Sequence, residues 1–327
     1  MLTRVLGQTA TRIPAIGLGC MGMVGWYGTR DDRESVATLE RALELGVSHF
    51  DTAAVYQNGE NERFLGRFLR GRRDRVFLAT KCGMSRGLDG RPGVDGRPET
   101  IRRSCDESLE RLGIDCIDLF YLHRVDRSVP IEESMQALAG LAAAGKVRYI
   151  GLSEASVPTL KRAHSVHPVA ALQSELSLWT QSVARPAVEA CRELGITFVA
   201  YSPLGRGFLP GAINSPADIP DSDTRRLFPR FSDEHFAGNL AFAERLGSFA
   251  TRLDCSPAQL ALAWVLAQGE HVVAIPGTKK RRYIEDNAGA AGLPLTPAHL
   301  AEIASLLPES AVAGPRYPAS MLGALDG

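Results

Sequence analysis

Eight short apolar runs recur along this chain of 327 residues, and most of them finish on a polar or small residue before a stretch of helical periodicity begins. They lie at about Ile16–Gly19, Ser48–Asp51, Val76–Lys81, Ile117–His123, Val147–Ser153, Ala170–Ser174, Thr197–Ser202 and Val272–Pro276. Short apolar runs bounded by turn residues read as buried strands, and strands alternating with helices read as a parallel sheet with crossovers. The helical patterns cover Asp32–Leu45, Glu60–Leu69, Pro98–Leu112, Ile131–Ala144, Val157–Ser165, Ala184–Leu194, Ser256–Ala267 and about Lys280–Ala288. Two more, Asp233–Leu253 and Pro297–Leu306, are extra to this alternation.

The expected fold class is therefore α/β, a (β/α)8 TIM barrel with extra helices and long loops on its C-terminal face. The length suits one such barrel, and no linker divides the chain, so residues 1–327 read as a single domain. At or one position before the ends of the eight runs stand Gly19, Asp51, Lys81, His123, Ser153, Gln173, Tyr201 and Pro276. A barrel gathers all eight C-terminal strand ends on one face, where its active site sits; an open sheet would spread them along a line. Any one polar strand end reads as a strand finishing at solvent. Asp51, Lys81 and His123 together, each behind a continuous apolar run, read as a site.

The long segment Gly205–Arg230, rich in Gly, Pro, Ser and Asp, and the shorter Leu88–Pro98 have the length and composition of functional loops. Residues from Pro308 onward read as a loose tail. Lys plus Arg and Asp plus Glu each total 37, which lends nothing to a nucleic-acid or membrane-surface partner. No run approaches the roughly 18 apolar residues of a membrane helix, and the first residues do not resemble a signal peptide. The six cysteines include no C-x-x-C pair and read as reduced thiols of a cytoplasmic protein. His164-x-x-His167 reads as a surface pair, so no metal is expected.

Gly17-Leu18-Gly19-Cys20-Met21-Gly22 fits the G-x-G-x-x-G dinucleotide fingerprint. That motif needs a helix opening within the glycines and an acidic residue about 20 positions on, ending the next strand. Here a loop-like Met23-Val24-Gly25-Trp26 follows and the next strand ends at the more distant Asp51, so the match reads as accidental.

Five segments resemble the aldo-keto reductase superfamily, in order and spacing, within about Thr3 to Gly289: Gly46-Val47-Ser48-His49-Phe50-Asp51-Thr52-Ala53-Ala54-Val55-Tyr56, Ala79-Thr80-Lys81, Asp118-Leu119-Phe120-Tyr121-Leu122-His123, Tyr201-Ser202-Pro203-Leu204-Gly205-Arg206-Gly207-Phe208-Leu209 and Ile275-Pro276-Gly277-Thr278-Lys279. The Gly205–Leu209 run and Gly151-Leu152-Ser153-Glu154-Ala155 are similar to the microbial and plant branch acting on small aldehydes and ketones. The resemblance implies NADPH-dependent reduction of a small carbonyl substrate, with Asp51, Tyr56, Lys81 and His123 as the catalytic set. Tyr56 is then the proton donor. Its ordinary pKa near 10 makes it reluctant, and an ammonium about 4 Å away would favour the phenolate by at most about 4 kcal/mol. Asp51 would pair with Lys81, and His123 would orient the substrate oxygen. Taken singly, these residues read as a loop aromatic, a buried ion pair and a core histidine.

The resemblance also places the cofactor. Tyr201 would stack on the nicotinamide, Ser153, Gln173 and Glu154 would meet its carboxamide, and Gly19, Cys20, Met21 and Asp51 would line the pocket. Ser202, Pro203, Leu204, Gly205 and Gly207 continue the site after the seventh strand. Lys279, Lys280, Arg281 and Arg282 open the last barrel helix, where four cations oppose the helix dipole. The pairs Arg281–Glu285 and Arg282–Asp286 have the less favourable order. A bound anion would resolve the conflict, so NADP is expected over NAD, its 2′-phosphate meeting Lys279 and one neighbouring Arg. Gly277, Thr278, Tyr283, Asp286 and Asn287 would surround the adenosine end.

This sequence departs from the family pattern at Glu154, where Asn is common, at Gln57-Asn58, which separate Tyr56 from Gly59, and at Tyr283, where Arg or Gln is common. Met23, Trp26 and Tyr27 are candidates for substrate contact, with plain loop packing as the alternative. Two other functions fit parts of the pattern: an NADPH-binding regulatory subunit with little turnover, and a barrel isomerase or aldolase using Lys81 as a Schiff base. Oligomeric state has no signature in the sequence.

Overall fold

A computed structural model describes residues 1–86, 92–221, 223–322 and 325–326. Twelve strands are present among them. In chain order they are β1 (Thr3–Val5), β2 (Arg12–Pro14), β3 (Leu18–Gly19), β4 (His49–Asp51), β5 (Phe77–Cys82), β6 (Met84–Arg86), β7 (Pro92–Val94), β8 (Ile117–Leu122), β9 (Val147–Ser153), β10 (Ala171–Glu175), β11 (Thr197–Tyr201) and β12 (Val272–Ala274). Eight of these form one sheet in the order β12-β11-β10-β9-β8-β5-β4-β3, with parallel pairing throughout. Parallel bridges Ile16–Ala274 and Gly19–Gly277 join its two ends, so the sheet closes into a (β/α)8 barrel. The eight expected runs all become its strands.

Two hairpins escaped the sequence reading, because strands of three residues carry no readable period. β1 and β2 pair antiparallel and send Leu6 and Ile13 into the inner core beside Ala79, Leu119, Tyr121, Val199 and Val273. β6 and β7 form the second; residues 88–91 of the expected Leu88–Pro98 loop lie outside the described residues.

Alternate strand residues face the barrel interior. Ala79 and Lys81, Leu119 and Tyr121, and Val199 and Tyr201 follow that rule: Ala79, Leu119, Tyr121 and Val199 pack in the inner core, and Lys81 and Tyr201 stand above it toward the upper rim. The outward residues Leu78, Phe120, Leu152, Leu172 and Phe198 pack under the helices.

The helices are α1 (Asp32–Glu44), α2 (Glu60–Leu69), α3 (Pro98–Leu112), α4 (Ile131–Ala143), α5 (Val157–Val166), α6 (Arg185–Leu194), α7 (Asp233–Arg252), α8 (Pro257–Leu266), α9 (Arg281–Gly289), α10 (Pro297–Leu306) and α11 (Ala319–Leu322). Their ends follow local chemistry: α3 opens on a proline and stops at left-handed Gly113, and Ser256 with Gln259 forms a capping box at α8.

The glycines of the G-x-G-x-x-G stretch serve barrel closure. A Cβ at Gly17 would stand 2.9 Å from the His49 carbonyl oxygen, and one at Gly19 would stand 3.0 Å from that of Ile275. Only a short 3-10 turn, Met21–Val24, follows, and α1 begins at Asp32, so the fingerprint's helix is absent there.

The expectation of a loose tail is overturned. Glu309 accepts hydrogen bonds from the backbone of Gln181 and Ser182, Arg316 pairs with Glu154 at 2.9 Å, and Asp326 accepts from the Ser156 backbone. Tyr317 is buried against Phe228. Contacts with residues 89 or more positions away hold this segment, and no local period announces such contacts.

Candidate active site

The end of β4 delivers Asp51, and β5 delivers Lys81 beside it. The Lys81 ammonium donates to Asp51 Oδ1 and, at 2.7 Å, to the Thr52 carbonyl. The second Asp51 oxygen accepts from Gln173 Nε2 at 2.8 Å. Lys81 is 1% exposed and Asp51 3%. Burial acts to neutralise Lys81 and lowers its pKa, opposed by the adjacent Asp51 charge. Support comes from α2, whose Asn61 and Glu62 are fully buried. Thr52 donates to Asn61, Asn61 donates to the Cys20 carbonyl, and Thr80 donates to Glu62, which also pairs with Arg111 at 2.6 Å. The strand ends that carry Asp51 and Lys81 are thus fastened to one helix.

Tyr56 sits on the loop after β4, with its ring centroid 6.0 Å from that of His123 and 6.1 Å from that of Trp26, both edge-on. The Lys81 ammonium lies 5.4 Å from the Tyr56 ring centroid. The attraction expected from Lys81 does not set the net direction in the free protein. Burial raises its pKa well above 10, the Asp51 charge adds to the rise, and the cation opposing it most is Arg124. Gln57, Asn58 and Gly59 follow in three consecutive left-handed conformations. The two non-glycine residues carry strain of order 1 kcal/mol each, and Gln57 Nε2 holds the Gly25 carbonyl at 3.2 Å. Among the described residues, five of the six non-glycine residues with positive φ (Gln57, Asn58, Glu154, Ser202 and Arg206) follow C-terminal strand ends. Strain gathers on this face.

His123 ends the run of β8, 8% exposed and with its Nδ1 buried and unpartnered. Burial, reinforced by Arg124 and Lys81, holds its pKa well below 6.5, so the ring is neutral at pH 7. Arg124, absent from the sequence reading, follows directly. Its Nη1 donates to the His123 carbonyl at 2.7 Å and to Ser153 Oγ at 3.1 Å. The readable signal was a cation at the end of an apolar run, the same signal that singled out Lys81. Arg206, on the loop after β11, stacks 4.0 Å over Phe228 and bonds Glu175. Of the three candidates on the loop after β3, Met23 is fully buried core, Trp26 faces Tyr56, and Tyr27 meets Arg206 through its hydroxyl and Arg225 through its ring.

The residues expected around the cofactor line the same rim. Gly19, Cys20 and Met21 leave β3, with Cys20 buried and its thiol pushed up by burial. Glu154 accepts from the Glu175 backbone and pairs with Arg316. The Tyr201 hydroxyl meets that of Tyr317 at 2.8 Å. Ser202, Pro203, Leu204, Gly205 and Gly207 lead into a 3-10 turn over Gly205–Gly207.

At the far end, Gly277 and Thr278 precede Lys279, whose ammonium donates to the carbonyls of Tyr27 and Thr29, both at 2.6 Å. Neither expected i,i+4 pair is seen: Arg281 pairs with Glu34 at 3.0 Å, Glu285 with Arg41 at 2.7 Å, and Asp286 accepts from Ser256. Glu34 also accepts from the Arg281 backbone. The negative charge wanted at the start of α9 is therefore supplied in part by α1. Among the described residues Lys280 and Arg282 have no carboxylate within 4.0 Å. They border a surface hollow with Glu34, Arg281 and Glu285. Arg282 lies over the Tyr283 ring, and Asn287 Nδ2 is buried and unpartnered. The described residues contain no cluster able to hold a metal ion and no helix long and apolar enough to cross a membrane.

A closed parallel barrel with a buried Lys–Asp pair, a phenol and a neutral imidazole on its C-terminal rim defines a protein built for acid–base chemistry on a small molecule. Residues 15–308 match the Aldo/keto reductase family. Over 322 residues the chain is 44% identical to the aldo-keto reductase yakc, named for NADP(+), of Schizosaccharomyces pombe, covering 97% of this chain and 94% of that one. It is 43% identical over 325 residues to aldo-keto reductase str7 of Strobilurus tenacellus, covering 96% and 94%. Among solved structures, the glycerol dehydrogenase AKR11B4 of Gluconobacter oxydans superposes with a TM-score of 0.86 at 30% identity, over 97% of this chain and 98% of that one. The aldo-keto reductase AKR11C1 of Bacillus halodurans gives 0.78 at 27%, over 98% and 99%. The chain belongs to the aldo/keto reductase family.

Proposed function

We propose that this protein reduces a small aldehyde or ketone to the alcohol using NADPH, with Tyr56 as the proton donor. The observation that carries this reading is the meeting of Tyr56 and His123, 6.0 Å between ring centroids, above the buried Lys81–Asp51 pair. A bound reduced nicotinamide would supply the hydride to the carbonyl carbon. Tyr56 then donates its hydroxyl proton to the carbonyl oxygen. The phenol is protonated at neutral pH, and burial raises its pKa further in the free protein; the nearby cations Arg124 and Lys81 stabilise negative charge as the proton leaves. Neutral His123 orients the oxygen. Lys81 is consumed by Asp51 and the Thr52 carbonyl, which suits a positioned charge rather than a Schiff-base nucleophile.

The residues present fit NADP. Ser153 and Gln173 would hold the carboxamide, Tyr201 the nicotinamide face, and the Gly205–Gly207 turn the diphosphate. Lys280 and Arg282, which have no carboxylate within 4.0 Å among the described residues, would take the 2′-phosphate, and the orphaned Asn287 amide the adenine. Lys279 instead fastens the loop after β3. The relative from Schizosaccharomyces pombe carries NADP(+) in its name, which supports the same choice.

The test is loss of NADPH absorbance across a panel of small carbonyl compounds. Turnover that disappears in Tyr56→Phe is the expected result. Tight NADPH binding with no carbonyl reduced would favour the regulatory-subunit alternative and overturn this reading.

A further inference from the structure

Five half-buried arginines ring the barrel mouth: Arg124, Arg206, Arg225, Arg230 and Arg316. Four have a carboxylate partner. Arg206 and Arg230 share Glu175 at 3.4 and 3.9 Å, Arg225 has Asp223 at 2.8 Å, and Arg316 has Glu154 at 2.9 Å. Arg124 differs. Among the described residues no carboxylate lies within 4.0 Å of it, and its two hydrogen-bond acceptors, the His123 carbonyl and the Ser153 hydroxyl, are neutral. A guanidinium drawn out of water is costly unless its charge is matched. The fold gives its neighbours a carboxylate in direct contact; the acid that acts on Arg124, Glu154, does so from beyond 4.0 Å and is itself paired with Arg316.

We infer that Arg124 is the docking point for a carboxylate carried by the substrate, so that the preferred carbonyl compounds are short oxo acids. The inference rests on the carbonyl-reduction reading above. Arg124 adjoins His123 in the chain and acts on Tyr56 across the site, so a carboxylate on this guanidinium sets its carbonyl beside the proton donor. Its contact with Ser153 keeps it at the carboxamide end, whereas the cofactor's phosphates are assigned to the Gly205–Gly207 turn and the start of α9. Both ends of one molecule must fit between neighbouring residues, which requires a short chain. The planar fork of a guanidinium matches a carboxylate with two parallel hydrogen bonds, and Tyr201 and Tyr317, both close enough to act on this charge, wall the site with rings.

The experiment compares a series of ω-oxo acids of increasing length with their methyl esters, at saturating NADPH, in the wild-type protein, Arg124→Met and Arg124→Lys. In the wild type, kcat/KM for at least one acid exceeds that of its ester by about 10- to 100-fold, the range of a hydrogen-bonded charge. Arg124→Met erases that preference, chiefly through KM for the acid, and Arg124→Lys keeps part of it. The ratio is the readout because Arg124 also acts on Tyr56, and a loss common to acid and ester cancels. Where either compound is reduced, no acid preferred in the wild type, or a preference surviving in Arg124→Met, overturns the inference, while ester turnover separately tests carbonyl reduction. If neither is reduced, quenching of tryptophan fluorescence by butanoate but not butanamide, lost in Arg124→Met, supports the site; equal or absent quenching rejects it.

Discussion

The hydroxyls of Tyr201, at the end of β11, and Tyr317, in the C-terminal segment, are 2.8 Å apart. This contact spans 116 positions of sequence and fixes the ring proposed to face the nicotinamide. Tyr317 also packs against Phe228 of the long loop after β11. Tyr317 therefore links the C-terminal segment to Tyr201 and to that loop. Tyr317→Ala removes a buried ring, at a cost of about 3 kcal/mol, and frees Tyr201. A lower thermal midpoint together with a raised KM for NADPH is expected; a lower midpoint with KM unchanged would reduce the tail to packing alone.

Replacing Tyr56 by Phe keeps the ring contacts with Trp26 and His123 and deletes the proton. Turnover is expected to fall by about 10²- to 10⁴-fold, the range for a lost general acid. NADPH affinity, read by fluorescence, is expected to stay within a few fold. Retention of most of the rate would remove Tyr56 from its role.

The Lys81–Asp51 pair is buried on both sides, so removing one partner strands the other charge. Lys81→Met is expected to destabilise by about 3–5 kcal/mol in urea unfolding. Adding Asp51→Asn to it should recover part of that loss, because the stranded charge is removed. A double variant no more stable than Lys81→Met would contradict this account.

Lys280 and Arg282 are the cations at the start of α9 that have no carboxylate within 4.0 Å among the described residues. Lys280→Met is expected to weaken NADP binding about 10-fold or more while changing NAD binding little, since hydrogen bonds to charged groups contribute about 1.5–3 kcal/mol. Equal losses for both nucleotides, measured by titration calorimetry, would remove the 2′-phosphate from this site.

His49 is buried inside the barrel with both ring nitrogens unpartnered, and burial depresses its pKa to about 4. The unfolded chain binds this proton near pH 6.5 and the folded chain resists it, so stability is complete above about pH 6.5 and falls as pH drops toward 4. The full loss is of order 3 kcal/mol. The difference in thermal midpoint between pH 7 and pH 5 should shrink in His49→Phe. An unchanged difference would assign the acid sensitivity elsewhere, His123 being the other buried histidine held neutral.

Much of this architecture was legible in the sequence. The runs ending at Asp51, Lys81 and His123 became strands because short apolar stretches behind turn residues have one economical use in an alternating chain. The hairpins of β1 with β2 and β6 with β7 were not legible, being too short to show a period. The α9 cations misled in part, since Glu34 arrives from α1 and answers a charge that local reasoning divided between a bound anion and solvent.

By itself the sequence determined the barrel and the residue types at its rim, because periodicity and strand ends are local properties written in consecutive residues. The tertiary structure alone decided the direction in which the Tyr56 pKa moves, the fastening of the tail across the mouth, and which arginine has no carboxylate within 4.0 Å among the described residues. Those outcomes depend on burial and on distances between side chains far apart in the chain, and electrostatic energies change steeply over a few ångströms that no linear pattern records.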